Sequence, residues 1–399
     1  MTKIAIALVA FICVAFFIRF YWPLFRVVRM VFVTTFPFAA LVIVQLFWHS
    51  LTSLVVASDQ SPCCGASRAD ASEVKESLSD NAPRMLVLLF DELDYRLVFP
   101  ERPAFLQLPE FDRFAEQAIV FANAPALSRS TWTAIPALLV GKRVRRATAT
   151  DRRTLVLDFE DATDSRSLSG MPNLFSEVRD AGRTLSIIGF YHPYCRLFGE
   201  LSTECLRLAF TDPYPLETQR GHPRMFWQSL QAAFLDGLPA DAQIGHVASY
   251  GMIVTRVKKM VERIDSHLIF VHLLQPHDPP IYDAKRKSLT YLNHSPIGYL
   301  DNVVLTDNFL GEIRRTMENA GLWDSTAVLI TADHPWRHAD RYDGKTDIRI
   351  PLLLKMPGQT KATVYTPEFS SVHVKDMVLS ILAKELVDPP AVSAWLKQR

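Results

Sequence analysis

The chain has 399 residues, a formal net charge of +1 and 49% hydrophobic residues. That length accommodates a membrane segment plus one large domain. The near-zero net charge supplies no overall field for a polyanion, so no nucleic-acid partner is expected.

The apolar residues are unevenly spread. No charge occurs from Ile4 to Ile18, nor from Met30 to Val56, where only His49 titrates. The second run exceeds the roughly 20 residues that a bilayer span needs. The first reaches that length if Phe20-Tyr-Trp-Pro-Leu24 forms its interfacial end. A signal peptide is the rival reading of 1–18, but no small-residue cleavage site precedes the second run. Residues 1–58 therefore read as a membrane anchor of two transmembrane helices. Arg19, Arg26 and Arg29 lie between the spans, which makes the connecting loop cytoplasmic by the positive-inside rule, with Lys3 counting the other way. The expectation is a multi-pass protein of the inner (plasma) membrane whose large C-terminal part faces the periplasm or the outside.

Residues 59–82 are polar, rich in Ser, Asp and Ala, and aperiodic, so they read as a linker. From 83 to 399 apolar runs alternate with amphipathic stretches. Expected strands are 85–90, 154–158, 184–190, 268–273, 326–331 and 350–355. Expected helices are 105–117, 132–140, 172–181, 225–236, 247–264, 300–320 and 372–386. The alternation argues for one α/β domain around a mostly parallel sheet. Cys195 and Cys205 flank a short polar loop, and a bridge between them would suit an oxidising compartment; two buried free thiols are the alternative. Cys63 and Cys64 are adjacent in the linker.

Four stretches carry chemistry. In Arg84–Tyr95 the unbroken apolar run Met85–Phe90 leads straight into Asp91 and Glu92. Such a run reads as a strand buried on both faces, and open α/β sheets place ligands beyond its carboxyl end. Asp91 as a plain turn cap is the bland reading. In Leu127–Lys142 the hydroxyls Ser128, Ser130, Thr131 and Thr133 precede a short apolar helix that stops at Gly141. A hydroxyl there meets free N–H groups and the positive helix end, although simple N-capping accounts for it equally. In His267–Tyr282, His272 ends a strand and His277 lies in a Pro-rich loop; a satisfied core histidine is the usual reading of the former. In Thr326–Arg337 a further buried strand ends in Asp333–His334, a pair that suits zinc, manganese or similar ions, with His338 a few residues on. In a parallel sheet these three strand ends share one edge. The basic run Lys142, Arg143, Arg145, Arg146, Arg152 and Arg153 reads as a solvated face, or else as a contact for an anionic lipid or glycan headgroup.

The order of these features resembles the sulfatase-like branch of the alkaline phosphatase superfamily, with its sulfatases, phosphoethanolamine transferases and lipoteichoic-acid synthases. It runs strand–Asp–Glu, hydroxyl–helix–Gly, Pro-His-x-Pro loop, strand–Ala-Asp-His, then Arg349-Ile-Pro-Leu-Leu-Leu-Lys-Met-Pro-Gly and a late helix containing Asp376. The resemblance spans about 85–390. It implies an alkaline-phosphatase-like, mostly parallel sheet sandwiched by helices. It makes Asp91 a metal ligand, Glu92 a second or alternative one, and Asp333 and His334 ligands. The ion would be zinc, manganese, magnesium or calcium. His277, with His272 or His338, would contact the transferred group or a second ion. The family often places its nucleophile ten positions before the glycine that closes the helix, which is Thr131, with Ser130 as fallback. Sulfatases carry a modified Cys or Ser in Cys/Ser-x-Pro/Ala-x-Arg. Thr131 followed by Trp132-Thr133 cannot give that aldehyde, and Pro335 stands where a Gly usually follows Asp-His.

The reading that follows is a membrane-anchored, metal-dependent hydrolase or transferase of phosphoesters, acting through a Thr nucleophile on a membrane lipid or envelope glycan. The alternatives are an inactive lipid-sensing scaffold of the same fold and a sulfuric ester hydrolase.

Overall fold

The computed structural model describes residues 83–208 apart from Arg152, 239–290 and 297–399, together with helical positions scattered between Val9 and Val33. The chain divides into two compact units, Met1–Gly65 and Ala66–Arg399. Among the described residues no helix is long and apolar enough to cross a membrane. Most of the two expected spans, the 59–82 linker and the expected helix 225–236 lie outside the described residues. Of the positions described in the first unit, Phe11, Val14, Phe17 and Val33 are more than half exposed.

The second unit is built on strand β1 (Met85–Asp91), followed by the single turn α1 (Tyr95–Val98), α2 (Pro109–Ala115) and β2 (Ile119–Phe121). Next come α3 (Thr131–Val140), the strands β3 (Val144–Ala149), β4 (Leu155–Phe159) and β5 (Ser165–Ser167), and α4 (Leu174–Asp180). Strand β6 (Leu185–Phe190), α5 (Tyr194–Phe198) and β7 (Glu204–Leu208) precede α6 (Pro239–Val261) and β8 (Leu268–Pro276). A small hairpin, β9 (Tyr282–Asp283) and β10 (Ser288–Leu289), leads to α7 (Gly298–Asn319) and β11 (Ala327–Ala332). The chain closes with α8 (Ala339–Asp343), β12 (Leu352–Lys355), β13 (Thr363–Tyr365), α9 (Val374–Leu382) and α10 (Pro389–Leu396).

Eight strands form one sheet in the order β13-β2-β12-β11-β1-β8-β6-β7. Every neighbouring pair is parallel except those made by β12, which runs antiparallel to both β11 and β2. The expected mostly parallel α/β sheet is therefore present. All seven residues of β1 are buried, and they alternate between two cores. Met85, Val87 and Leu89 face the core covered by α3, α4, α9 and α10. Leu86, Leu88 and Phe90 face the core covered by α2, α6 and α7. Helices on both faces are what a continuous apolar run in a central strand requires.

Several boundaries differ from expectation for identifiable reasons. The stretch 154–158 is not a strand of the main sheet; as β4 it is the middle of a separate antiparallel sheet, β3-β4-β5. Its side chains alternate between buried and half-buried, the pattern of a strand with one covered face. The helix expected over 105–117 starts only at Pro109, a ring that suits a first helical position, and Asp307 of α7 accepts from the Glu110 and Phe111 N–H groups there. The 372–386 helix stops at Leu382, shortly before Lys384 turns left-handed at φ 63°. In the basic run, Arg146 pairs with Asp158 at 2.7 Å and Arg145 is exposed, a solvated face of the small sheet.

Cys195 and Cys205 form a disulfide, with Cα atoms 5.5 Å apart, that ties α5 to edge strand β7. Opening it by replacing both cysteines with alanine should cost about 2–3 kcal/mol, the loop-closure entropy of so short a ring. Denaturant unfolding of the variant beside the wild type measures this.

Lys355, at the end of β12, is fully buried in an otherwise aliphatic strand. Its Nζ donates to the Trp323 and Met356 carbonyls at 3.0 and 3.3 Å and lies 5.2 Å from the Trp323 ring centre. Burial lowers its pKa from 10.5 to about 8. Between those values the unfolded chain binds the extra proton, so this lysine makes stability rise with pH from about 8 to 10.5. Lys355→Met should remove that part of the slope, as read from urea midpoints at pH 7.5, 9 and 10.

Candidate active site

Strands β11, β1 and β8 are adjacent and parallel, so the ends that carry Asp333/His334, Asp91/Glu92 and His272 do converge on one edge. Phe90 pairs with Ala332, which sets Asp91 beside Asp333 one residue further on. Asp91, Asp333 and His334 are all buried and offer ligand atoms within 4.8 Å of one another. His334 Nε2 lies 3.3 Å from Asp333 Oδ2 and 3.7 Å from Asp91 Oδ1.

The hydrogen bonds fix how each group presents itself. Asp333 Oδ1 accepts from the backbone N–H groups of Glu92 and His334, at 3.1 and 2.8 Å, while its Oδ2 is buried with no hydrogen-bond partner among the described residues. His334 Nδ1 donates to the Pro335 carbonyl at 3.0 Å, which leaves a lone pair on Nε2 directed at the acids. Burial, then the Asp333 and Glu92 charges, push the Asp91 carboxyl well above the usual carboxylate range. A bare carboxylate oxygen, a bare imidazole nitrogen and a destabilised second carboxylate are a donor set suited to a divalent cation. Their 3.3 and 3.7 Å separations match the roughly 3.4 Å expected between ligands held about 2.1 Å from a shared centre.

Thr131 is the first residue of α3, buried, with Oγ1 3.2 Å from His334 Nε2 and 3.5 Å from Asp91 Oδ1. Ser130 is the N-cap: its Oγ accepts from the Trp132 N–H at 3.3 Å. Two adjacent hydroxyls thus divide between capping the helix and facing the acids. Helix α3 ends at Gly141 in the left-handed conformation, φ 68°, as its glycine implied. A cavity of about 360 Å³ lies at that far end, lined by Lys142, Phe159, Asp161 and Arg166 among others, away from Thr131.

Other expected site residues lie nearby without joining the cluster. Glu92 turns its side chain out: its carboxylate pairs with Arg337 Nε, and His277 Nε2 is 4.0 Å away. The cause is its left-handed backbone, φ 65°, which sends the N–H to Asp333 and the side chain elsewhere. His272 pairs with Leu89 across β1, two residues below Asp91, and is fully buried. Its Nδ1 meets the Tyr194 hydroxyl at 2.9 Å, and burial lowers its pKa to about 4. His277 donates from Nδ1 to the Asp278 carbonyl at 2.5 Å and accepts on Nε2 from Arg337 at 2.6 Å. His338 is exposed, at the start of α8.

Four contributors escaped the sequence reading. His192 Nε2 donates to the Thr131 carbonyl at 3.1 Å, and its ring stacks on Trp132 at 5.5 Å. It follows the end of β6, so the strand-end rule applied to the other three strands would have found it. Arg337 lies three residues beyond His334. Tyr299 donates to the Glu92 carbonyl at 2.7 Å and accepts from the Asp94 N–H at 3.1 Å. Asn302 holds the 276–281 loop, donating to the Pro276, His277 and Pro279 carbonyls and accepting from the Ile281 N–H. The last two sit inside a long helix and carry no local signal.

A family model described as Sulfatase matches residues 89–383. The chain belongs to the sulfatase family. Members are hydrolytic enzymes that typically bind a divalent metal ion. No curated protein matches the sequence. Among solved structures, Ps i-CgsB in complex with k-i-k-neocarrahexaose is 14% identical, with a TM-score of 0.51 over 78% of this chain and 74% of that one. A protein of a Bacteroides thetaiotaomicron locus for glycosaminoglycan metabolism is 14% identical, with a TM-score of 0.50 over 78% and 80%. Lipoteichoic acid synthase LtaP from Listeria monocytogenes is 11% identical, with a TM-score of 0.47 over 75% and 72%.

Asp333→Ala should abolish stoichiometric metal in the purified full chain, while Glu92→Gln, outside the donor set, should retain it. Elemental analysis after dialysis against zinc, manganese, magnesium or calcium is the measurement.

Proposed function

We propose that the protein is a metal-dependent hydrolase or transferase of phosphoesters, favouring phosphodiesters, with Thr131 as the nucleophile. One observation carries this reading: the Thr131 hydroxyl lies within hydrogen-bonding reach of both His334 Nε2 and Asp91 Oδ1, two members of the donor set. Asp91, Asp333 and His334 would hold the ion, whose chemistry is to polarise a phosphoryl oxygen and favour the ionised Thr131 hydroxyl.

The remaining steps belong to the chain's own groups. Thr131 Oγ1 forms a bond to phosphorus as the ester oxygen departs, and the hydroxyl proton ends on the leaving alcohol. Water or an acceptor alcohol then breaks the Thr131–phosphorus bond and restores the hydroxyl. The first-turn N–H groups and positive end of α3 lower the energy of charge on Oγ1. His192 fixes the Thr131 backbone through its carbonyl. His277, tethered by the Asp278 carbonyl, would act on the transferring group through Arg337, whose Nη2 donates to its Nε2.

The family label fits sulfuric esters too, but a threonine cannot be converted to the aldehyde that sulfatase chemistry uses, which favours phosphorus. The proposed setting is the cell membrane, with the site outside, and the donor or acceptor a membrane lipid or envelope glycan. The Cys195–Cys205 bridge suits an oxidising compartment, and the exposed Phe11 and Phe17 suit a lipid surface.

Thr131→Ala should lower turnover of a phosphodiester such as bis-p-nitrophenyl phosphate by at least about 10³-fold while metal content stays unchanged. Full activity in that variant removes Thr131 as nucleophile. Faster turnover of p-nitrophenyl sulfate than of the diester by the wild type would move the reading to sulfuric esters.

A further inference from the structure

Arg337 is engaged along only part of its guanidinium. Its Nε pairs with a Glu92 carboxylate oxygen and its Nη2 donates to His277 Nε2 at 2.6 Å. These two acceptors are 4.0 Å apart, as neighbours on a single edge of the fork would be. Nη1 has no protein partner among the described residues, and the side chain is 42% exposed although the Glu92 carboxylate beneath it is 2% exposed. The Asp91 and Asp333 charges also act on the guanidinium, and Glu92, its Nε partner, follows Asp91 directly in the chain and donates its N–H to Asp333 Oδ1 at 3.1 Å. One divalent ion would leave the Asp91, Glu92 and Asp333 carboxylates one charge in excess; Arg337 balances it.

An arginine tied along one edge and open along the other is pre-oriented, and its free edge presents parallel N–H groups that match the oxygens of a tetrahedral anion. We propose that Arg337 is the specificity-determining residue that receives the substrate's anionic ester group, with Glu92 and His277 as its mount. This deepens the phosphoester reading and rests on it. It also gives Glu92 a purpose outside the donor set: a buried carboxylate that holds the guanidinium at a fixed angle beside the ion site.

The test reads binding without turnover. Inorganic phosphate and, separately, inorganic sulfate are titrated calorimetrically into the metal-loaded full chain, wild type beside R337A and R337K, with metal content measured for each. The wild type should bind phosphate, and R337A should bind it about 10- to 100-fold more weakly with metal retained, the range for a charge-assisted pair. R337K, a point charge without the fork, should not restore wild-type affinity. Tighter binding of sulfate than of phosphate would assign the same residue to sulfuric esters. Unchanged anion affinity in R337A overturns the proposal. So does loss of metal in both variants, which would make Arg337 a support for the ion site alone. A wild type that binds phosphate but leaves diesters intact counts against the proposed reaction and not against this role.

Discussion

Two carboxylates held side by side in a water-poor sheet edge are the constraint on which the rest of this site depends. Strands β1 and β11 run parallel and in register, so Asp91 and Asp333 cannot avoid one another. Burial alone raises the cost of charging Asp91, and the neighbouring acids raise it further. The surroundings answer with directed dipoles more than with bulk charge. Two backbone N–H groups meet Asp333 Oδ1, one of them from Glu92 in a left-handed conformation that a side-chain-bearing residue adopts only at some cost. That strain has a use, because it turns the N–H to Asp333 and the still-buried carboxylate to Arg337. What stays uncompensated is Asp333 Oδ2, opposite the lone pair of His334.

The Thr131 side is built with equal economy of contacts. Ser130 satisfies the orphan N–H of α3, which releases Thr131, one residue later, from any capping duty. The backbone of Thr131 is then pinned from the opposite side by His192, a neutral imidazole whose pKa burial lowers to about 4. Behind it Tyr194 packs directly on the Gly189 backbone, where an added Cβ would come within 2.3 Å of the ring. Only glycine allows that approach, and through it the Tyr194 hydroxyl reaches His272. His272 therefore reads as a buried prop beneath the site, with one ring nitrogen held by the tyrosine. The disulfide begins at the very next residue and fixes this arm to β7.

How much of this could be read from the chain depends on the range of each interaction. Asp91, Asp333 and His334 were legible because a buried parallel strand announces itself as an unbroken apolar run, and the chemistry follows at its end. Thr131 was singled out from its neighbouring hydroxyls only by the family resemblance, which counts ten positions back from Gly141, a helix stop visible in sequence. Glu92 was assigned to the ion because adjacency in sequence suggested a shared destination; a single positive φ separates the two carboxylates. The stretch 154–158 reads as apolar in sequence, yet in the fold Leu155, Leu157 and Phe159 alternate with less buried residues, unlike the solid runs of β1, β8 and β11. His338 was chosen for its nearness to Asp333–His334, yet the intervening residues carry it to the surface. Arg337, in the same stretch, returns to the site because two acceptors await it.

The first turn of α7 shows why the remaining contributors were hidden. Tyr299 and Asn302 are three apart, so they share one face of the helix. From that face Tyr299 binds the turn after β1, and Asn302 binds the loop after β8. A helix recognised in sequence only as an amphipathic cover for the sheet is therefore also the common anchor of both loops. The Tyr299 ring stacks on Trp336 at 4.0 Å and 3°, which adds the segment after β11 to the same anchor. All three strand ends of the site are thereby referred to one rigid element on one side of the sheet, while α3 delivers the hydroxyl from the other. The turn that follows Asp91 is thus held from 207 positions away in the chain, by the Tyr299 hydroxyl on the Glu92 backbone carbonyl. Local pattern names the chemical groups; only the packed helix fixes their geometry.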